Sequence, residues 1–291
     1  MARYARVISV LAGSIIAVAG VAEPAAWAAN PHAAKQHAAA TSAQLPKGTA
    51  AAGQAQQGGE TAGEADVLET SVTADGVAHV VSYTPAAGVT SDQLLANLAK
   101  AGKKGLSKSG GGTAQGSSAA CTYYTWNTAK TTCPSVHWAN NGYTRPQVYF
   151  VDHTGPQWPV PSATYTWNTA ARIDSLYRWA TCPGISGTHC VNLYDANYGA
   201  TGWAGLTTWS YYTGNLNFVD GSVVIKFNDY YSYNSYGYLQ DSCHEQGHAL
   251  GLDHNSSTGS CLYYAIRNSS ATTVPNSDDF NLLNWVYSTV H

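Results

Sequence analysis

Residues 244–254 read His-Glu-Gln-Gly-His-Ala-Leu-Gly-Leu-Asp-His, and no other stretch constrains the chain as tightly. His244 and His248 are four apart, so on a helix they share one face, one turn from each other. Two imidazoles so placed can hold one Zn²⁺. Glu245 follows the first of them, where its carboxylate can reach a water on the ion and take its proton. Gly251 can adopt the left-handed backbone that ends a helix and turns the chain sharply. That turn brings His254 back as a third ligand. A catalytic zinc takes three protein ligands and keeps one position open, and this stretch supplies that number. A chain of this length contains His-Glu-x-x-His by chance in roughly a few per cent of cases, and fixing Gly251 and His254 lowers that about four-hundredfold. The bland alternative, an amphipathic helix with surface histidines, is disfavoured on that arithmetic.

The pattern H-E-x-x-H-x-x-G-x-x-H resembles the signature of the metzincin zinc endopeptidases, and the flanking Ala-Leu-Gly-Leu-Asp-His is similar to the matrixin branch. The resemblance implies that His244, His248 and His254 bind zinc and that Glu245 is the general base. The stretch also resembles the snapalysins, small secreted bacterial neutral proteases. Those carry Asp as third ligand, so His254 favours the matrixin-like side. The likeness is close around the motif and loose elsewhere. It implies an α+β fold: a twisted, mostly parallel sheet with an antiparallel edge strand, an active-site helix and a C-terminal helix.

Metzincins place a methionine turn under the zinc. Ser260-Cys261-Leu262-Tyr263-Tyr264 stands at the right distance after His254, with Leu262 in the methionine's place, and Met1 is the sole methionine. A buried Leu-for-Met exchange keeps volume and costs below about 1.5 kcal/mol, so zinc binding is expected to survive it. Tyr264 falls where some metzincins have a tyrosine that ligates zinc or stabilises the tetrahedral intermediate. With 20 tyrosines in the chain, a core or surface role competes.

Export is expected from both ends of the composition argument. Arg3 and Arg6 precede an apolar run at 7–22, and Ala26-Trp27-Ala28 offers small residues for cleavage. That run is short for a bilayer span and holds Gly13, Ser14 and Gly20, which disfavours a membrane anchor. Six cysteines, an even number, suit an oxidised exported protein. A net charge of −3 argues against nucleic acid as a partner. The expected product is a secreted monomer with no stable membrane association.

The layout expected is a signal peptide at 1–28, a pro-segment and flexible linker at 29–118, and a catalytic domain at 119–291. Residues 29–65 have few large apolar groups and read as disordered. Two β-prone runs, 67–73 and 77–83, flank the turn signal Ala74-Asp75-Gly76. Ser91 can cap a short helix closed by Gly102, which gives a ββα unit at most. Residues 105–120 are rich in Gly and Ser and read as a linker. Lys103-Lys104 and that linker are candidate processing sites. Matrixins often keep latency with a pro-segment cysteine on the zinc. No cysteine occurs before residue 121, so an inhibitory segment would work differently, and a plain spacer is the competing reading.

Beyond Cys121, Tyr-Thr-Trp-Asn-Thr-Ala occurs at 124–129 and again at 165–170, without similarity around the two copies. The first is expected in a loop or hairpin. The second follows Pro159 and Pro161, which mark a helix start. Strands are expected at 147–152, 176–181, 190–194, 206–212 and 222–228. The zinc helix should start near Tyr238 and end at Gly251. A last helix should begin after Pro275 with Ser277 as cap and Asp278 and Asp279 at its positive end.

Cys243 and Cys261 flank the motif and the turn, and a bond between them would clamp the two. A thiolate ligand to zinc is the alternative, although three histidines already complete the site. Nearest-neighbour pairing suggests Cys121 with Cys133 and Cys182 with Cys190, but six cysteines allow about 15 pairings. His137, His153, His189 and His291 lack ligand spacing. Asp152, Asp195, Asp220 and Asp229 lie near strand ends, and no run among them has calcium-loop spacing, so structural Ca²⁺ finds no support there.

These readings lead to a zinc endopeptidase acting on extended protein or peptide substrates laid along an edge strand within 190–212. A pocket walled by 258–268 suggests an apolar preference after the cut. Two other classes compete. One is a zinc-bearing adhesion or polymer-binding protein, which would have no need of Glu245. The other is a zinc hydrolase of small amides, which the Gly251-to-His254 extension disfavours.

Overall fold

The computed structural model describes residues 56–57, 65–109 and 121–289. The expected signal peptide, nearly all of the stretch read as disordered and most of the expected linker lie outside the described residues. All the described residues belong to one compact unit.

Strand β1 (Gln56–Gln57) comes first, and β2 (Val67–Val72) and β3 (Val77–Pro85) then form the expected antiparallel hairpin. Its turn is closed by Gly76 at φ 79°, where a side chain would be strained. Helix α1 (Ser91–Lys100) is capped by Thr90 instead of Ser91: Thr90 and Gln93 form a reciprocal capping box. The Ser91 hydroxyl is already engaged, bonding the backbone of Ala65. Strand β4 (Leu106–Lys108) then pairs with the free edge of β2, in residues expected to be linker. The unit is therefore ββαβ. An unpaired row of backbone groups on β2 is enough to order three residues of a Gly/Ser-rich run. Lys108 also pairs with Asp92 at 2.7 Å.

Strands β5 (Tyr124–Trp126) and β6 (Ala129–Thr131) form the hairpin expected for the first hexapeptide copy. After β7 (Gln147–Asp152), the second copy enters helix α2 (Val160–Trp167). Next come β8 (Asp174–Trp179), β9 (His189–Ala196), β10 (Trp203–Tyr212), β11 (Val224–Asn228), helix α3 (Ser235–Ala249), β12 (Leu252–Asn255) and helix α4 (Ser277–Thr289). Asn276 caps α4, accepting from the N–H groups of Asp278 and Asp279, so the cap precedes Ser277.

The main sheet has eight strands in the order β4-β2-β3-β10-β11-β9-β7-β8. Strands β11, β9, β7 and β8 are parallel and β10 is antiparallel, giving the expected α+β arrangement. One expectation needs correcting. Strand β10 is not an edge: β3 pairs with it antiparallel from Trp203↔Pro85 to Tyr212↔Val77.

The core lies where α2 and α3 cover the main sheet, with α4 closing it against β5, β6 and β12. Trp138, Phe150, Trp167, Ile225 and Phe227 are fully buried there. Burying one such side chain contributes about 1.5–3 kcal/mol. The two indoles also fix α3: Trp167 Nε1 donates to the Cys243 carbonyl at 2.9 Å and Trp138 Nε1 to that of Ala249 at 2.8 Å.

Candidate metal centre

Helix α3 starts at Asn234, whose side chain accepts from the N–H groups of Tyr236 and Gly237. It ends at Leu250, and Gly251 follows at φ 95°. A Cβ on Gly251 would also lie 2.3 Å from the Val136 carbonyl oxygen, so glycine is required twice over. The chain then reverses into β12, and His254 returns over α3. His244, His248 and His254 are all buried, and their ring centroids lie 4.6–5.5 Å apart.

The rings are oriented from behind. His244 Nδ1 lies 3.0 Å from the Cys261 carbonyl oxygen, and His248 Nδ1 lies 2.9 Å from that of Leu252. Each carbonyl accepts a hydrogen bond from Nδ1–H and so leaves the Nε2 lone pair facing inward, the tautomer a metal needs. His254 Nδ1 is 3.4 Å from the Ser109 hydroxyl.

A fourth group joins them. Asp66, immediately before β2, is fully buried, with its carboxylate 3.0 Å from both His248 Nε2 and His254 Nε2 and 3.9 Å from His244 Nε2. The three Nε2 atoms and Asp66 Oδ1 are buried without a hydrogen-bond partner. Four such orphaned atoms would each be costly, and the four ligand atoms lie within 4.8 Å of one another. Three imidazoles and a carboxylate fit a zinc ion by donor type and by spacing. The field is strong even without a cation. Burial alone would raise the Asp66 pKa, but the His254 charge and contacts with the three rings hold it well below the usual range. Burial pushes His244 down to about 4, whereas the carboxylate outweighs burial at His248 and raises it to about 9.

Glu245 is fully buried on the next face of α3. Its Oε1 accepts from the Thr84 hydroxyl at 2.6 Å and its Oε2 lies 2.5 Å from that of Thr207. Burial raises its pKa to about 7. Asp241, one turn earlier, is buried with neither carboxylate oxygen partnered, and burial next to Glu245 and Asp66 raises its pKa well above the usual range. Gly205 on β10 lets the strand approach this pair, since a Cβ there would sit 2.6 Å from an oxygen of each.

Residues 163–288 match the family model described as matrixin. This part of the chain is similar to the matrixins. A matrixin is a zinc metallopeptidase, so the match indicates zinc as the metal and peptides or proteins as substrates. No curated protein matches the chain. The match contains the three histidines and Glu245, but not Asp66.

Within the matrixin-like region, Leu262 is wholly buried under α3, where a Cβ on Gly247 would come 2.6 Å from Leu262 Cδ2. The turn carrying it is tied to α4. Asp279 accepts from the Ser260 hydroxyl at 2.5 Å and from Asn255 Nδ2 at 2.7 Å, and Ser260 Oγ accepts from the Leu262 N–H. Disulfides join Cys243–Cys261, Cys121–Cys133 and Cys182–Cys190. Neither Cys243 nor Cys261 is therefore a thiolate ligand. Tyr264 Oη accepts from Tyr263 Oη at 2.7 Å, and its ring packs on that of Tyr263.

Asp66, Thr84, Thr207 and Ser109 have no sequence signal. Each reaches the centre through strand pairing across a long separation, and a lone carboxylate before a β-run looks like a turn residue. Asp253, the residue before the third histidine, pairs with Lys130 at 3.5 Å.

Proposed function

We propose that this chain is a secreted zinc endopeptidase, laid out as a signal peptide at 1–28, a pro-segment and linker at 29–118 and a catalytic domain at 119–291. The convergence of the three buried Nε2 atoms of His244, His248 and His254, two of them with Nδ1 anchored on a carbonyl, carries the reading. Bound zinc supplies Lewis acidity and lowers the pKa of water towards about 7. Glu245 accepts the proton of the attacking water and returns it to the leaving amine. The Thr207 hydroxyl next to Oε2 orients the Glu245 carboxylate. Once β3 has left β10, substrate lies extended along β10 as an added strand. Ile266, packed with Ala204 near Tyr231 and Tyr233, lines an apolar pocket for the residue after the cut. Tyr264 stabilises the tetrahedral oxyanion.

Three disulfides fit an extracellular site, and among the described residues no helix is long and apolar enough to cross a membrane. The test is casein cleavage by the secreted, processed protein with and without a chelator, alongside Glu245→Ala. Chelation should abolish cleavage, and the variant should lose at least about a hundredfold in rate. Undiminished turnover in the variant would refute the role given to Glu245.

A further inference from the structure

We infer that Asp66 is a fourth protein ligand to the metal in the uncut chain, and that the segment from Asp66 to Val89 occupies the cleft in place of substrate. The inference rests on the reading of the site as a zinc centre. A tetrahedral ion with Zn–N and Zn–O bonds near 2.0–2.2 Å spaces neighbouring ligand atoms about 3.3 Å apart. Asp66 stands 3.0, 3.0 and 3.9 Å from the three Nε2 atoms. Three histidines and one carboxylate close the coordination sphere, and a closed sphere is the structural kind of zinc site, with no position for a reacting water.

The carboxylate is held in place from the N-terminal unit itself. The Ser82 hydroxyl donates to Asp66 Oδ2 at 2.6 Å, and the Ser109 N–H donates to the Asp66 carbonyl at 2.8 Å. A fully buried carboxylate is expensive unless something positive meets it. A divalent ion answers that need.

Two further contacts deny the site to substrate. Thr84 takes up Glu245 Oε1, one of the two oxygens a water would approach. Strand β3 fills the whole length of β10, the strand proposed to receive substrate. Past its end, the Ala86 N–H donates to the Gly202 carbonyl at 2.9 Å, and the Ala86 side chain packs against Ala204 and Ile266 in the proposed pocket. The ion, the base, the strand and the pocket are thus each met by one stretch of chain. This explains how a matrixin-like protein without a cysteine before residue 121 is kept latent.

The test uses the full-length chain in a Glu245→Ala background, so that it cannot cut itself. Zinc affinity is measured against a chromophoric chelator, with and without Asp66→Asn, which preserves the side-chain shape. Acetohydroxamate binding to the zinc-loaded proteins is measured in parallel. Loss of a first ligand should weaken zinc at least about tenfold, since losing even an outer-shell partner costs 10–100-fold. The hydroxamate should bind at least about tenfold more tightly once the fourth position opens. The parent, loaded with Co²⁺, should keep its visible spectrum when acetohydroxamate is added, a readout that needs no variant. A spectral change in the parent, or unchanged zinc and hydroxamate affinities in the variant, would overturn the inference and leave the histidine site standing. Failure of both proteins to take up zinc would instead overturn the proposed function.

Discussion

Leu262 sits beneath the two helical histidines with its Cδ2 against the backbone of Gly247, and nothing about that position calls for sulfur. Leu262→Met should therefore cost less than about 1.5 kcal/mol and leave zinc stoichiometry intact. Leu262→Ala should cost about 2–5 kcal/mol, because the space below α3 is closed on every side. Thermal unfolding together with metal analysis checks both, and a Met variant that lost its zinc would show that the turn does more than pack. At this scale the sequence was legible where ligands are close in sequence. Two histidines one turn apart, a glycine and a third histidine define their own geometry. Asp66 lies 178 positions before His244 (244 − 66), so only the folded pairing of β2, β3 and β10 brings the two together.

The elements were read well in kind and less well at their ends. The strands and helices beyond Cys121 follow from runs of apolar periodicity. Two helix caps lie one residue before the position the sequence suggests, at Thr90 and Asn276, because neighbouring polar residues compete for one capping role and tertiary contacts decide which is free. Strand β4 was invisible because its order comes from β2 and not from its own composition. The join between α4 and the turn is testable. Burial raises the Asp279 pKa, outweighing its hydrogen bonds from Asn255 and Ser260. The folded state therefore keeps the proton to higher pH than the unfolded one, and Asp279 disfavours folding increasingly as pH rises through the acid range. Asp279→Asn should gain stability relative to the parent as pH rises above the ordinary carboxylate pKa, which melting curves across that range would reveal. A difference independent of pH would mean that Asp279 is ionised equally in both states. The Cys243–Cys261 bond, spanning 18 residues, joins the same turn to α3. Removing it by paired serine substitutions should cost about 3 kcal/mol on the chain-entropy account, measured by denaturant unfolding.

For the whole molecule, metal and fold are linked. An ion bound only by the folded chain stabilises it by about 2.7 kcal/mol at a hundred times its Kd. Chelation should accordingly lower the melting temperature as well as stop cleavage, and an unchanged melt would argue that these histidines hold no ion. The same scale governs the N-terminal unit. While β3 is in place, the amides of β10 are bonded on both sides. Hydrogen exchange there should be slow in the uncut chain and faster after the unit is removed.

At its N-terminal-unit edge the uncut sheet ends at β4, three residues long, with Lys108 paired to Asp92. Short, charged rims of this kind do not recruit neighbouring molecules. Processing would exchange that rim for β10, ten residues long and almost wholly shielded until then. The protein stored intact should stay dispersed at high concentration, whereas the trimmed form, with a bare ribbon seeking a partner, should clump unless a peptide is supplied to cover it.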